Sequence, residues 1–189
     1  MARVIAGMTV SLDGFVQDAD GSAEALYRDL ADLQDSACVK AMQDETGAVL
    51  MGRRTFEMAG DTDTYADSYE LQVPIFVLTH TPPAVAPRHN ERLSFTFVTD
   101  GVRSAVAQAA EAAGDRAVTV VGGVDLNRQL LEAGLVDELR VDVMPVLLGA
   151  GLRLFEGTGP LALEKLGVDD VGARTSLRFR VPPSARRSG

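Results

Sequence analysis

At 189 residues the chain has the length of a single domain, and its 46% hydrophobic and 24% charged content suits a folded protein with a substantial core. The formal net charge of −9 excludes a surface built for phosphate-rich partners, such as nucleic acids or anionic membranes. One cysteine and two histidines exclude a disulfide framework and a zinc site of the usual ligands, so no metal is expected.

The first predicted strand covers residues 4–10, which are apolar and rich in β-branched side chains. The start of the chain lacks the pattern of a signal peptide, and no apolar run approaches the ~20 residues that span a bilayer. We therefore expect a cytoplasmic protein. The strand leads into Asp13-Gly14, a pair typical of a tight hairpin turn. Because catalytic groups of α/β enzymes also follow strand ends, Asp13 is interpreted as a turn residue, a catalytic acid, or both.

Strands and helices alternate through the next part of the chain. Apolar residues at helical spacing predict one broken helix or two short helices over residues 23–45. Further strands are predicted over 48–51, 74–79, 95–98 and 117–121, and further helices over 54–58, 102–113 and 124–133. The acidic stretch 60–69 is predicted to be a surface loop. This alternation implies parallel strands joined by right-handed crossovers.

The last third of the chain has a different pattern. Residues 136–146, 161–168 and 175–181 are predicted as successive strands without intervening helices, which adds antiparallel strands to the same sheet. We expect one domain over residues 1–181 and a disordered tail over 182–189.

Two predicted strand-to-helix junctions contain glycine. Helix N-termini offer unpaired N–H groups to phosphate, and in the first junction Gly52 precedes Arg53, a bidentate donor. The second junction, Gly122-Gly123, also lies between a buried strand and a predicted helix start. It does not match G-x-G-x-x-G, the dinucleotide-binding fingerprint of doubly wound folds. Each junction alone is explained by a tight glycine turn. Together, in an acidic protein, they suggest one dinucleotide across the carboxyl ends of neighbouring strands.

Two other reactive side chains carry weaker signals. Cys38, on a predicted helix, is interpreted as a small core residue rather than a nucleophile. His80 directly follows a predicted strand, so it is either a ligand contact or a loop residue without a role.

Five motifs occur in a characteristic order along the chain. They are Ser11-Leu12-Asp13-Gly14, Met51-Gly52-Arg53-Arg54-Thr55, Val77-Leu78-Thr79, Val121-Gly122-Gly123 and Pro145-Val146-Leu147-Leu148-Gly149-Ala150-Gly151. This order resembles the dihydrofolate reductase-like superfamily, and within it the reductase domain of the riboflavin-biosynthesis deaminase–reductases. The resemblance spans residues 4–181. It implies a three-layer α/β/α fold with a mixed, mostly parallel central sheet and antiparallel C-terminal strands, an NADPH cofactor and a homodimer.

The resemblance also implies roles for individual residues. Gly52, Arg53 and Thr55 would hold the adenosine-side phosphates, and Arg53 beside a 2′-phosphate would favour NADPH over NADH. Thr79 and His80 would flank the adenosine. The contacts implied for the pyrophosphate and nicotinamide are Gly122, Gly123, Val124, Asp125, Leu126, Ala6, Phe15 and Val16. The substrate contacts are Ser11, Asp13 and Leu148. In the superfamily the glycine pair often carries a cis peptide bond.

The same resemblance indicates which reaction to expect. The chain has no tryptophan, and no carboxylate over residues 23–45 matches the acid of folate-reducing members, so dihydrofolate reduction is disfavoured. We expect hydride transfer to a C=N or C=O group, as in 5-amino-6-(5-phosphoribosylamino)uracil reduction. Asp13 would orient the substrate or relay a proton, and the relay requires a raised pKa. The alternatives are a reductase of another metabolite or xenobiotic, and a non-catalytic nucleotide-binding regulatory protein.

Overall fold

A mixed eight-stranded sheet forms the centre of the protein, which the computed structural model describes for residues 2–34 and 36–183. The strands are β1 (Val4–Ser11), β2 (Phe15–Gln17), β3 (Thr46–Gly52), β4 (Ile75–Leu78), β5 (Phe95–Val98), β6 (Ala117–Val121), β7 (Glu138–Met144), β8 (Leu152–Arg153), β9 (Glu164–Val171) and β10 (Arg174–Arg180). The helices are α1 (Leu30–Leu33), α2 (Ala37–Glu45), α3 (Arg53–Glu57), α4 (Tyr65–Ser68), α5 (Val102–Ala113) and α6 (Val124–Glu132).

The strand order in the large sheet is β5-β4-β3-β6-β1-β7-β10-β9, and β2 pairs separately with β8. The six strands from β5 to β7 are parallel, and β10 and β9 are antiparallel to their neighbours. The predicted mixed sheet with antiparallel C-terminal strands is therefore confirmed. The direction expected for residues 136–146 is wrong, because β7 runs parallel to β1. Its connection from β6 passes through α6, and such a crossover returns the chain in the same direction.

Side chains of alternate strand residues fill two cores on opposite faces of the sheet. On one face, Leu50 belongs to a core that α5 and α6 cover, α6 through Leu130. On the other face, Met51 belongs to a core that contains Phe56 of α3 and Tyr65 of α4. Because neighbouring residues of β3 point to different cores, the strand is apolar throughout, as expected for a sheet covered on both sides. The predicted three-layer arrangement is confirmed.

Two local predictions fail, both because of tertiary contacts. The acidic stretch 60–69 is not a plain surface loop, since it contains α4, and the buried Tyr65 ring stacks 5.8 Å from the Phe56 ring. Cys38 is exposed on α2, a helix that buries none of its side chains fully, and so is not a core residue. The two short helices predicted over residues 23–45 are present as α1 and α2.

The described part of the chain extends to residue 183. The Val181 N–H donates to the Asp137 carbonyl at 3.0 Å, and residues 182 and 183 follow it. The remainder of the predicted tail, residues 184–189, lies outside the described residues. Within the described ranges, every helix is too short or too polar to cross a bilayer.

The different lengths of β1 and β6 leave the end of β1 without a neighbouring strand on one side, next to the candidate site. The two strands pair in parallel from Val4 beside Val118 to Gly7 beside Val121, where β6 ends. Residues 8–11 of β1 continue along β7 as far as Ser11 beside Met144. The carboxyl-terminal half of β1 therefore borders a gap in the sheet, and the chain leaving β6 turns away beside that gap.

Gly47 tests how tightly α5 packs on the sheet. A Cβ added at Gly47 would lie 2.5 Å from the Ala113 carbonyl oxygen and 2.8 Å from the Ala113 Cα. We expect Gly47→Ala to lower the free energy of unfolding by about 1–3 kcal/mol, because the backbone of α5 must shift. The matched variant Gly159→Ala meets no atom within 4 Å and should stay within about 0.5 kcal/mol of the natural protein. Equal midpoints of urea unfolding for both variants would contradict this packing.

Candidate active site

The structure brings the two glycine junctions together at the carboxyl edge of the parallel strands. Gly52 ends β3 and begins α3, and Gly123 precedes α6. A Cβ placed on Gly122 would lie 3.0 Å from the Thr55 Oγ1, and one on Gly123 would lie 3.7 Å from the same atom. The Thr55 side chain therefore packs against the glycine pair. Residues that lie 67 positions apart in the sequence form one continuous surface.

The glycine pair has a backbone that other residues rarely adopt. Gly122 has φ +68° and Gly123 has φ +87°. Glycine reaches this region without a steric penalty, so the conformation favours it at both positions, and the close Thr55 side chain limits the space at Gly122 as well. The described residues contain no cis peptide bond, so the pair is trans here and differs from the cis bond that the resemblance implied.

The N-terminus of α6 faces the glycine pair and offers unpaired N–H groups to an anion. The first four N–H groups of an α-helix have no partner within the helix, and they carry the positive end of its dipole. The carboxylate of Asp125 is two-thirds exposed and lies 3.4 Å from the Arg128 guanidinium. This ion pair places the acidic side chain on the solvent side of the first turn.

A small cavity of about 40 Å³ lies beside the other junction, at the ends of β4 and β5. Its lining includes Arg53, Val77, Thr79 and Phe97. The Thr79 hydroxyl donates to the Thr81 carbonyl at 2.9 Å, so it stabilises the turn after β4. The predicted adenosine residues Arg53 and Thr79 therefore share one cavity, whereas His80 is exposed and is not among the lining residues.

Arg53 is an exposed side chain with a single short ion pair. Its Nε lies 2.7 Å from the Glu57 Oε1, and the side chains are 54% and 52% exposed. Exposed pairs of this kind contribute about 0–1 kcal/mol to stability. The guanidinium is thus free to exchange Glu57 for an anion in the adjacent cavity at little cost.

The Asp13 carboxylate ties two distant loops together. Its Oδ1 accepts hydrogen bonds from the Ser11 hydroxyl at 2.6 Å and from the Leu148 N–H at 3.1 Å. Its Oδ2 accepts one from the Gly149 N–H at 2.8 Å. The turn after β1 is thereby held against the segment that follows β7. We call this arrangement of Asp13, Ser11, Leu148 and Gly149 the Asp13 clamp.

These hydrogen bonds favour the ionised form of Asp13. The Ser11 hydroxyl, followed by the Gly149 and Leu148 N–H groups, lowers the Asp13 pKa to about 2. The side chain is therefore ionised at neutral pH. The raised pKa on which a proton relay by Asp13 depends is absent in this structure.

The Asp-Gly turn is present, but the hairpin is not. The Gly14 N–H donates to the Ser11 carbonyl at 2.9 Å, as in a tight turn. However, β2 pairs with β8 rather than with β1. Arg153 of β8 reinforces this pairing, since its guanidinium lies 4.4 Å from the centre of the Phe15 ring and donates to the Asp13 carbonyl at 3.2 Å.

The residues predicted to contact the nicotinamide (Ala6, Phe15 and Val16) and the apolar ones predicted at the pyrophosphate (Val124 and Leu126) lie mostly inside the protein. Ala6, Val16 and Leu126 are buried in the core beneath α5 and α6. Phe15 is buried below Arg153, and Val124 packs on the edge of the same core. Their contact with a cofactor stays a prediction.

A buried ion pair on the other face of β1 was not predicted. The Arg174 guanidinium donates to both oxygens of Asp29, at 2.7 and 2.6 Å, and to the Thr9 hydroxyl at 2.9 Å. Arg174 also lowers the pKa of Asp29. Asp29 lies within the stretch in which no acid could be matched to folate-reducing enzymes, and here its carboxylate is neutralised by Arg174. Only a contact across 145 residues identifies the pair, so no local pattern could have indicated it.

The Asp13 clamp predicts a specific pH dependence of stability. Because the Asp13 pKa is lowered on folding, its contribution is complete above the unfolded value near 4 and is lost as pH falls towards about 2. We expect Asp13→Asn to have a lower Tm at pH 7 and this deficit to shrink between about pH 4 and pH 2. The exposed Asp20→Asn should show no such trend. A deficit that stays constant in thermal melts across this range would contradict the role of the charge.

Comparison with known proteins agrees with this architecture. The RibD C-terminal domain family matches residues 2–177. The uncharacterized protein YwjB of Bacillus subtilis (strain 168) is 25% identical over 181 residues, covering 94% of this chain and 97% of the relative. A solved structure from Shewanella sp. PV-4, named for riboflavin biosynthesis, aligns with a TM-score of 0.73 at 22% identity, covering 96% of this chain and 99% of that one.

A second solved structure places the chain within a longer architecture. The Thermotoga maritima protein named diaminohydroxyphosphoribosylaminopyrimidine deaminase/5-amino-6-(5-phosphoribosylamino)uracil reductase aligns with a TM-score of 0.69 at 16% identity. The alignment covers 96% of this chain but 57% of the Thermotoga chain. Both structural likenesses establish the fold, and the family match extends over nearly all of the sequence. The chain therefore belongs to the RibD C-terminal domain family of reductase-like domains.

Proposed function

We propose that the protein is an NADPH-dependent reductase that transfers a hydride to a C=N or C=O group of a small heterocyclic or sugar-derived substrate. The observation that carries this proposal is the packing of Thr55 against Gly122, which joins two helix N-termini at one sheet edge. One extended ligand with several phosphates matches such a surface better than a compact ligand does.

The residues around the glycine pair fit a dinucleotide. Side chains are absent at Gly122 and Gly123, so a pyrophosphate can approach the N–H groups of α6 closely. Arg53 can hold a 2′-phosphate beside the cavity at the end of β4. When bound, the reduced nicotinamide supplies the hydride. The chain positions that group beside β1 and excludes water with the buried side chains lining the gap.

The ionised Asp13 has a positioning role in this proposal. Its carboxylate holds the turn after β1 against residues 148–149, and these segments form one side of the opening beside β1. As a carboxylate it can accept a hydrogen bond from substrate hydroxyl or N–H groups but has no proton to donate at neutral pH. The proton that completes the reduction then comes from water or from the substrate itself.

The proposed substrate is a 5-amino-6-(5-phosphoribosylamino)uracil type of compound. This follows from the family and from the activity named for the Thermotoga relative. The test mixes the purified chain with NADPH and this compound and follows the absorbance of the reduced nicotinamide. If NADPH binds but is not oxidised in the presence of this compound, the proposed substrate is wrong and the proposed cofactor stands. If NADPH at saturating concentration neither binds nor raises the Tm, the reductase proposal fails.

A reductase of a less polar metabolite is the second candidate, and the rim of the site favours it. Leu12 and Leu147 are 67% and 69% exposed beside the Asp13 clamp. A phosphorylated substrate gains more from cations than from such side chains. A panel of uncharged carbonyl compounds in the same absorbance assay distinguishes the two candidates.

A second copy of the chain is the partner that we propose. A C2 homodimer is the commonest closed assembly of soluble proteins, and the resemblance noted above implies one. Light scattering during size-exclusion chromatography measures the assembly directly, and a monomer at micromolar concentration would contradict the proposal.

Arg53 provides the sharpest test of cofactor choice. We expect Arg53→Gln to raise the Kd for NADPH by about tenfold and to leave the Kd for NADH nearly unchanged, since only NADPH carries the 2′-phosphate. The Tm should change little, because the ion pair with Glu57 is exposed. Arg54→Gln, at the neighbouring exposed position, is the matched control. Equal losses in both variants would indicate general electrostatic attraction rather than a phosphate site at Arg53.

A further inference from the structure

Asn127 is a buried polar residue with an unpaired oxygen. Its side chain is 2% exposed, and its Oδ1 has no hydrogen-bond partner among the described residues. It is the fourth residue of α6, and its backbone N–H donates to the Gly123 carbonyl at 3.0 Å. The backbone is thus part of the regular helix, and the unpaired group belongs to the side chain alone.

An apolar residue would suit this position better if stability alone mattered. Leu126 and Leu130 of the same helix are buried in the core, and asparagine is a weak helix former. A buried acceptor without a donor loses its hydration and gains nothing in return. Buried polar groups in native proteins normally have partners, so the oxygen of Asn127 calls for a donor from outside the chain, which an ordered water or a bound ligand can supply.

The neighbours of Asn127 show that its side chain lies next to β1. The Asn127 Nδ2 lies 3.9 Å from the Met8 Sδ. Met8 is the first residue of β1 beyond the last pair with β6, Gly7 and Val121. The amide therefore lies between α6 and the carboxyl half of β1, one helical turn from the glycine pair.

A second buried side-chain atom without a partner among the described residues, the Tyr69 Oη, lies in a different part of the fold. The Tyr69 ring packs 5.0 Å from the Tyr65 ring, in the core on the opposite face of the sheet from α6. Tyr69 therefore does not approach the glycine pair, whereas Asn127 lies on the helix that the pair begins.

We propose that the Asn127 Oδ1 accepts a hydrogen bond from the nicotinamide half of bound NADPH, either from the carboxamide N–H or from a ribose hydroxyl. This inference rests on the proposed function. With the adenosine beside β4 and the pyrophosphate at the N-terminus of α6, the remaining half of the cofactor extends towards β1, where Asn127 and Met8 meet. Asn127 then orients the reactive ring, and without ligand its unpaired oxygen lowers the stability of the protein.

The test uses Asn127→Leu in the full chain, which removes the acceptor and keeps an apolar side chain of similar size. Without ligand, we expect its Tm to rise by about 2–4 °C, because the unpaired group is gone. The Kd for NADPH should rise about 5–10-fold, as expected for one lost hydrogen bond. The Kd for 2′,5′-ADP, which lacks the nicotinamide half, should not change. Gln129→Leu, an exposed position on the same helix, should alter none of these values.

The remaining outcomes show whether the role of Asn127 fails alone or together with the proposed reductase function. If the natural protein binds NADPH and Asn127→Leu binds it equally well, the inference is overturned and the reductase proposal stands. Equal weakening of NADPH and 2′,5′-ADP overturns it as well, because the effect is then not specific to the nicotinamide. Failure of the natural protein to bind NADPH overturns both. If Asn127→Leu does not fold, Asn127→Met serves for the same measurements.

An analogue identifies the donor once the main result is positive. The 3-acetylpyridine analogue of NADPH replaces the carboxamide NH₂ with a methyl group. If the carboxamide donates, the natural protein and Asn127→Leu should bind the analogue equally. If the ribose hydroxyl donates, the variant should bind the analogue about 5–10-fold more weakly.

Discussion

The early end of β6 is the constraint on which the site depends. β6 stops at Val121 beside Gly7, while β1 continues to Ser11 along β7. Because β6 lies between β3 and β1, the chain leaves the sheet between two other strands and not beside an outermost strand. Gly122 and Gly123 make this exit possible because both adopt a positive φ. The end of β1 therefore has no strand partner on this side, and α6 begins directly after the glycine pair.

The same exit explains why α3 and α6 act as one surface. β3 and β6 are parallel neighbours, so the helices that follow them begin at the same edge of the sheet. Thr55 lies close enough to Gly122 that a methyl group there would press on its hydroxyl. Each glycine motif alone is weak evidence for a binding site. The fold brings the two motifs into contact, and this proximity is the stronger evidence.

Two polar interactions hold the surrounding loops in place. The Asp13 clamp joins the turn after β1 to residues 148–149, and the ion pair between Asp29 and Arg174 joins the segment before α1 to the start of β10. Both oxygens of Asp29 are paired with Arg174, and the Thr9 hydroxyl accepts a further bond. Removing one partner of such a buried pair typically costs about 3–5 kcal/mol, because the other charge is left unpaired.

The sequence predicted what depends on local pattern and missed what depends on distant contacts. Alternating and continuous apolar runs indicated nearly every strand of the large sheet, and Gly114 and Gly134 marked helix ends correctly. The pairing of β2 with β8 was missed because a three-residue strand carries no periodicity. The acidic residues around Tyr65 indicate a loop, whereas the contact of its ring with Phe56 depends on the fold. The Asp-Gly motif predicted the turn at Asp13, but its charge depends on N–H groups 135 and 136 residues away.

A buried polar side chain without a partner conflicts with the usual preference for an apolar residue, and such a conflict can indicate a functional position. Most buried polar side chains here are paired, as in the hydroxyl contact of 2.7 Å between Thr46 and Thr119. Asn127 differs, because the fold holds an amide in a helix interior without a donor for its oxygen. Sequences that fold well keep such conflicts few, and those that persist concentrate at functional positions. The conflict at Asn127 lies one turn from the glycine pair, on the side of α6 that faces β1. If Asn127 binds the cofactor as we propose, the functional surface extends from the N-terminus of α6 to the carboxyl half of β1.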